Sequence, residues 1–339
     1  MKLKQVWTAM AVLLAVAFIP CIATAETPAS QPSPRVDFIT MGDWGTGGAG
    51  QKEVAVKMAA YNKTLANPIN AALLLGDNFY MSLPGGVKDP VWQNVFEKMY
   101  PADQLPFPFY VALGNHDYQN NKDQIELQYA KLHPDSRWKL PARWYRIDLP
   151  VEKPLVTVLM LDSDKDQLKE LMWNEEKKWI ETELAKPRGT WTILCAHHPL
   201  FSNGGHGDNP VLQKEWGPLL EKYKVDFYFC GHDHDLQHLQ IPNWYTTFVL
   251  AGGGGADLKV LRHDDRGPFS RLIHGFAHVQ ITPDEVTVRY VTTDDQITHE
   301  FTRKKSGEVI VKINGGNDPA IINPLRALEG LTPSKPGDK

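Results

Sequence analysis

Leu73-Leu74-Leu75-Gly76-Asp77-Asn78-Phe79-Tyr80 is an apolar run that stops at a glycine and then presents a carboxylate, an amide and, three residues past the Asp, a phenol. A buried strand that ends this way delivers oxygen donors into a cleft. Four other runs end alike. Asp37-Phe38-Ile39-Thr40-Met41 precedes Gly42-Asp43, and Tyr110-Val111-Ala112-Leu113 precedes Gly114-Asn115-His116-Asp117. Thr192-Ile193-Leu194-Cys195-Ala196 precedes His197-His198, and Asp226-Phe227-Tyr228-Phe229-Cys230 precedes Gly231-His232-Asp233-His234. Five strand ends share one chemistry, which reads as a pair of metal ions.

The elements between these ends set the fold class. Gln51 to Leu65 has helical apolar spacing, so strand, loop and helix lead into the strand Ala71 to Leu75 as a βαβ unit. Helices are predicted over Pro90 to Tyr100, with Val91, Val95, Phe96 and Met99 on one face, and over Asp166 to Leu184, with Leu168, Leu171, Met172, Trp179, Ile180 and Leu184 as its buried stripe. Another is predicted over Val211 to Tyr223. Gln124 to Leu149 lacks regular spacing, and Trp138, Trp144 and Tyr145 mark an aromatic excursion that packs over the sheet or rims the cleft. Asp162-Ser163-Asp164 follows the strand Leu155 to Leu161, and is read as a turn or helix cap, not a ligand loop. After His234 come strands at Thr246 to Leu250, Gly275 to Ile281 and Glu285 to Thr292, with a Pro283-Asp284 hairpin turn. Alternating strands and helices followed by strands give an α/β sandwich with mixed sheets. Ligands in such folds sit beyond the carboxyl ends of the strands, where all five clusters fall.

Composition narrows the function. The chain has 339 residues and a formal charge of −4, without a Lys/Arg stripe, which argues against nucleic acid as a partner. Lys2 and Lys4, the apolar run Ala9 to Ile19 and Ala23-Thr24-Ala25 form an export leader, with cleavage expected after Ala25. The apolar run is shorter than the ~20 residues of a spanning helix, and no later segment is long and apolar enough to span, so no membrane association is expected after cleavage. The destination is then periplasm or medium. Residues 26–34 read as a flexible leader into a catalytic domain over 35–304, and 305–339 as a partly loose C-terminal extension. Cys195 and Cys230 could form one bridge, but both end strands beside ligand loops and are read as buried thiols.

The donors sort by charge. Asp43, Asp77 and the Tyr80 phenol supply anionic oxygens, whereas Asn115, His197, His232 and His234 are neutral donors. A hard, highly charged ion takes the oxygens and a divalent ion the neutral set, with Asp77 as the natural bridge. His232 and His234, two apart, can each reach a different ion of a close pair. Two such ions clamp a phosphoryl group and lower the pKa of a bound water, so the reaction class is phosphate-ester hydrolysis. Gly252 to Gly255 could form an anion nest, but close backbone approach to a crowded site is the preferred reading.

Each motif alone is common; all five in order are specific. Gly-Asp-Trp-Gly, Gly-Asp-Asn-Phe-Tyr, Gly-Asn-His-Asp-Tyr, Ala-His-His-Pro and Cys-Gly-His-Asp-His together resemble the metallophosphoesterases. Within them the likeness is to purple acid phosphatases of the small, tartrate-resistant type, over about Val36 to Thr302, and Tyr80 separates this group from relatives lacking a phenolate. The resemblance implies an αββα sandwich with two mixed sheets and a dinuclear site at the strand C-terminal ends. It implies Asp43, Asp77, Tyr80 and His234 on a ferric ion, and Asp77, Asn115, His197 and His232 on a divalent iron, zinc or manganese. It further implies a purple colour from tyrosinate-to-iron charge transfer, and an exported acid phosphatase attacking small phosphate monoesters with a metal-activated hydroxide. His116 matches the substrate-binding or proton-donating histidine and His206 the second such residue, while Asp117, Asn78 and Asp233 orient the ligands. His198 departs from the mammalian pattern, which has Tyr there, and is read as an outward neighbour. The protein is expected to be a monomer. The rivals are a phosphodiesterase of the same superfamily with two identical divalent ions, and a secreted binding protein without turnover.

Overall fold

The computed structural model describes residues 34–262, 266–294 and 297–318; the expected export leader with its expected cleavage site and the chain after Asp318 lie outside them. In chain order the strands are β1 (Val36–Met41), β2 (Ala71–Leu75), β3 (Phe109–Ala112), β4 (Trp138–Lys139), β5 (Tyr145–Leu149), β6 (Val156–Met160), β7 (Trp191–Cys195) and β8 (Phe227–Cys230). They continue as β9 (Leu236–Leu239), β10 (Thr247–Ala251), β11 (Phe269–Arg271), β12 (Gly275–Ile281), β13 (Glu285–Thr292), β14 (Ile297–Lys304), β15 (Val309–Ile313) and β16 (Gly316–Asn317). The α-helices are α1 (Ala49–Thr64), α2 (Lys122–Leu132), α3 (Lys165–Ala185), α4 (Pro210–Glu215) and α5 (Gly217–Lys222).

These strands form two mixed sheets of eight. One runs β15-β14-β13-β12-β1-β2-β3-β4 and the other β16-β11-β9-β10-β8-β7-β6-β5. The expected αββα sandwich is present, and the alternation along the strands builds it. In β6, Val156, Val158 and Met160 join the core between the sheets, while Leu159 joins the cluster that α3, α4 and α5 cover. On the first sheet, α1 buries Val54, Ala55 and Met58. β1, β2 and β3 are parallel neighbours in one sheet, and β7 and β8 in the other, so all five ligand loops leave from carboxyl ends. The stretch after Lys304 adds β15 at one edge of the first sheet and β16 at an edge of the second.

Several local expectations need correction. Pro90 to Tyr100 holds one π-helical turn, Trp92–Glu97, in which Lys98 N donates to Gln93 O 2.9 Å away. The single helix expected over Val211 to Tyr223 is two, α4 and α5, because Pro218 has no N–H to continue the ladder. In α3, Leu171 is 73% exposed and Trp173 and Glu176 are buried instead. The cause is Lys169, whose φ of 62° breaks the helical phase between Leu168 and the rest of the stripe. The Gln124 to Leu149 excursion contains α2, β4 and β5, and it packs inward. Trp138 is fully buried beside Trp44, Phe79, Trp92 and Phe96, and Tyr145 O–H donates to Val111 O.

Candidate metal centre

The site forms where the two sheets bring their parallel strands to one end. Ala196 N donates to Phe229 O and Gly231 N to His197 O, joining the loops after β7 and β8; Asp43 N donates to Gly76 O, joining those after β1 and β2. Gly76, with φ +88°, lets the loops close: a Cβ there would stand 2.8 Å from both Gly114 N and His197 Nδ1. The Gly252 to Gly255 tract serves close approach as well. A Cβ at Gly252 would meet Asp233 O at 2.0 Å, and one at Gly254 would meet Gly42 O at 2.3 Å.

Seven side chains converge there in two clusters. In the first, Tyr80 Oη lies 3.1 Å from Asp77 Oδ2, 3.4 Å from Asp43 Oδ1 and 3.2 Å from His234 Nε2. In the second, Asn115 Oδ1 lies 3.0 Å from His197 Nε2 and 3.1 Å from His232 Nδ1, and these two nitrogens are 3.2 Å apart. Asp77 belongs to both. Its Oδ2 faces Tyr80, and its Oδ1 lies 3.5 Å from His197 Nε2. His232 and His234 divide between the clusters as their spacing suggests, although the backbone is not extended, for His232 has φ 72°. Asp43 and Asp77 share that left-handed conformation, at 58° and 54°. Three residues in that sparsely populated region gather at one site, as is common where function fixes the backbone.

The donors are prepared for cations. His197 Nδ1 is bonded to Leu75 O at 2.9 Å and His234 Nδ1 to Asp257 O at 2.6 Å, so the proton sits on Nδ1 and each Nε2 offers its lone pair inward. Burial pushes His234 down to about 4 and His232 well below the ordinary imidazole range. Burial and the neighbouring Asp77 charge hold the Asp43 carboxyl well above its ordinary range, and burial with Asp43 and Asp77 drives the Tyr80 phenol far up. Two buried carboxylates and a phenol with no Lys or Arg bonded to them among the described residues are costly without a positive charge between them. The donor set therefore fits metal ions: oxygen-rich on the first side, neutral nitrogen and amide on the second.

Neighbouring groups fix the ligands. Asp117 accepts from Asn78 N at 2.8 Å, Phe79 N at 3.2 Å and Gly114 N at 2.8 Å, tying the Asp77 loop to the Asn115 loop. Burial raises its carboxyl to about 7. Asn78 donates to Ala112 O and accepts from Trp44 Nε1. His116 N donates to Asp77 Oδ1, and the His116 ring lies against Tyr80 with centroids 4.4 Å apart. Asp233 Oδ1 is 2.9 Å from both the backbone N and Nδ1 of His206, whose ring lies 4.1 Å from that of His232. His116 and His206 thus flank opposite clusters.

His198 is not an outward neighbour. Its Nδ1 is 2.9 Å from Ser163 Oγ, its ring is 4.4 Å from that of His232, and a ligating atom lies within 4.8 Å of those of His197 and His232. The loop turns it in because Ser163 Oγ also accepts from His198 N at 2.8 Å. Asp162-Ser163-Asp164 contributes no ligand to the two clusters: Asp164 caps α3 by accepting from Gln167 N, and Asp162 accepts from Tyr118 O–H. Cys195 and Cys230 are buried free thiols. Sequence reading missed Glu126, which is buried in α2 and accepts from Asn78 Nδ2 at 3.1 Å. Its signal was the charged set Lys122, Asp123 and Glu126 along a helix that faces inward.

Comparison with known proteins gives the family. Residues 37–236 match the family described as calcineurin-like phosphoesterase. The human protein named tartrate-resistant acid phosphatase type 5 is 31% identical over 318 residues, covering 85% of this chain and 94% of the relative. Among solved structures, a purple acid phosphatase from yellow lupin (Lupinus luteus) seeds aligns with TM-score 0.62 and 19% identity over 86% of this chain and 55% of that one. GAP50, described as the anchor in the inner membrane complex of Plasmodium, aligns with TM-score 0.69 and 20% identity over 88% and 95%. At those identities the two structures show the fold alone.

Proposed function

The chain belongs to the calcineurin-like phosphoesterases, and within them to the tartrate-resistant and purple acid phosphatases, and we propose that it is an exported enzyme hydrolysing phosphate monoesters at a centre of one ferric and one divalent ion. The observation that carries the reading is Asp77, whose two oxygens face two different donor clusters. Asp43, Asp77, Tyr80 and His234 would hold the ferric ion, and Asp77, Asn115, His197 and His232 the divalent iron, zinc or manganese. When bound, such a pair supplies charge that polarises the phosphoryl oxygens and acidifies water.

The remaining chemistry falls to side chains. His116, against the Tyr80 ring, would bind a phosphoryl oxygen on the ferric side. His206 has its Nδ1 held by Asp233 and its Nε2 facing the Lys259 ammonium; with that ammonium turned to the substrate, a protonated Nε2 would give its proton to the leaving oxygen, which departs as a neutral alcohol. The two histidines off the ligand list have a purpose in turnover that a binding protein would not need. Export rests on the N-terminal pattern, and no helix among the described residues is long and apolar enough to cross a membrane.

The test is a pH-rate profile with an aryl phosphate monoester and the matching diester. Monoester hydrolysis with its optimum on the acid side is expected, because a ferric ion acidifies water more than a divalent one. An alkaline optimum, or preference for the diester, would favour two identical divalent ions.

A further inference from the structure

At the rim of the divalent-side cluster stands a cation with no carboxylate partner among the described residues. Lys259 is exposed, its Nζ lies 3.3 Å from His206 Nε2, and among the described residues it makes no ion pair. Its position is set by both ends of its segment. On one side Ala256 N donates to Asp43 O at 2.9 Å, and Asp257 O accepts from His234 Nδ1. On the other, Leu261 bridges Gly204, and Arg262 N donates to Asn203 O at 2.7 Å, in the loop that carries His206. The segment therefore straps the ligand loops to the His206 loop, with Lys259 between the two attachments. Its charge also reaches Asp43 and His232.

From this placement we infer that Lys259 is a specificity-determining residue that binds an anionic group on the leaving alcohol of the substrate. The inference rests on the proposed role of His206 as proton donor. The leaving oxygen must come to His206 Nε2, so whatever that oxygen carries passes Lys259 Nζ, which lies outside the ring of metal donors. An ammonium is a compact charge on a flexible stem, suited to a carboxylate or a second phosphate without fixed geometry. Substrates of this kind carry two anions, one at each end of the ester bond: the transferred phosphoryl group, and a second on the alcohol.

The experiment uses the enzyme as purified with its metals, and a substrate pair that differs in leaving-group charge while nearly matching in electronic demand: 4-carboxyphenyl phosphate and its carboxamide. The ratio of their kcat/KM values is expected to fall about two- to fivefold in Lys259→Ala, the scale of about 0.4 to 1 kcal/mol for one partly screened charge pair. It should fall further in Lys259→Glu and be largely kept in Lys259→Arg. Raising ionic strength should narrow the ratio in the wild type and leave it unmoved in Lys259→Ala. The Kd values of the corresponding benzylphosphonates, carboxylate against carboxamide, should follow the same order without turnover. A ratio unchanged in both Lys259→Ala and Lys259→Glu overturns the assignment while leaving the phosphatase reading intact. A wild-type enzyme that hydrolyses neither ester overturns the phosphatase reading, and this inference with it.

Discussion

Replacing Asp77 by Asn is expected to lower kcat for an aryl phosphate by at least about a thousandfold, the scale on which loss of a group stabilising transition-state charge is felt. Asp77 is the residue common to both donor clusters, so the amide should also reduce bound metal from two ions per chain to one or none, measured by elemental analysis. The fold should survive. Removing the Asp77 charge relieves its repulsion with Asp43 but gives up the interactions with His197, His116 and Tyr80 that hold the Asp77 carboxyl below its ordinary range. Metal-free Asp77→Asn is thus expected to melt close to metal-free wild type, and to lose the stabilisation that metal confers on the wild type. A variant that keeps both ions and its turnover would show that the carboxylate is not shared.

The second large effect is on stability. Trp138 is fully buried, stacked on Phe79 at 5.7 Å and edge-on to Trp92 and Phe96 at 5.1 and 5.2 Å. Trp138→Ala should cost about 3–5 kcal/mol, the range for truncating a buried aromatic, read from chemical denaturation. The cluster backs the metal loop, since Phe79 lies between Asp77 and Tyr80 and Trp44 Nε1 donates to Asn78 Oδ1. Weaker metal retention should therefore accompany the lost stability. A variant as stable as the wild type would mean that the aromatic excursion is only a surface cover.

The converging donors were legible in the sequence because each lies within a few residues of the carboxyl end of an apolar strand, and the two sheets bring those ends together. Asp77 is read as the bridge from charge alone, and its two oxygens face the two clusters. What sequence could not supply was direction within loops. The left-handed turns at Asp43, Asp77 and His232 are permitted to these residue types but not signalled by them. They decide where the donors point, as the Ser163 hydroxyl decides that His198 turns in. Helical phase failed where a single backbone residue broke it: Lys169 exposes Leu171, and Pro218 divides α4 from α5. Glu126 was missed because it lies in the stretch read as irregular, whereas it is buried on α2 and hydrogen-bonds the Asn78 amide beside Asp77.

Everything proposed for the centre depends on two ions of unequal charge, with Tyr80 on the trivalent one. The most direct measurement is elemental analysis together with the visible spectrum of protein purified without added metal, for the wild type and Tyr80→Phe. Two metals per chain, at least one of them iron, and a visible charge-transfer band that disappears in Tyr80→Phe are the predicted result. A colourless wild type without iron, or a band unaltered by removing the phenol, would contradict it.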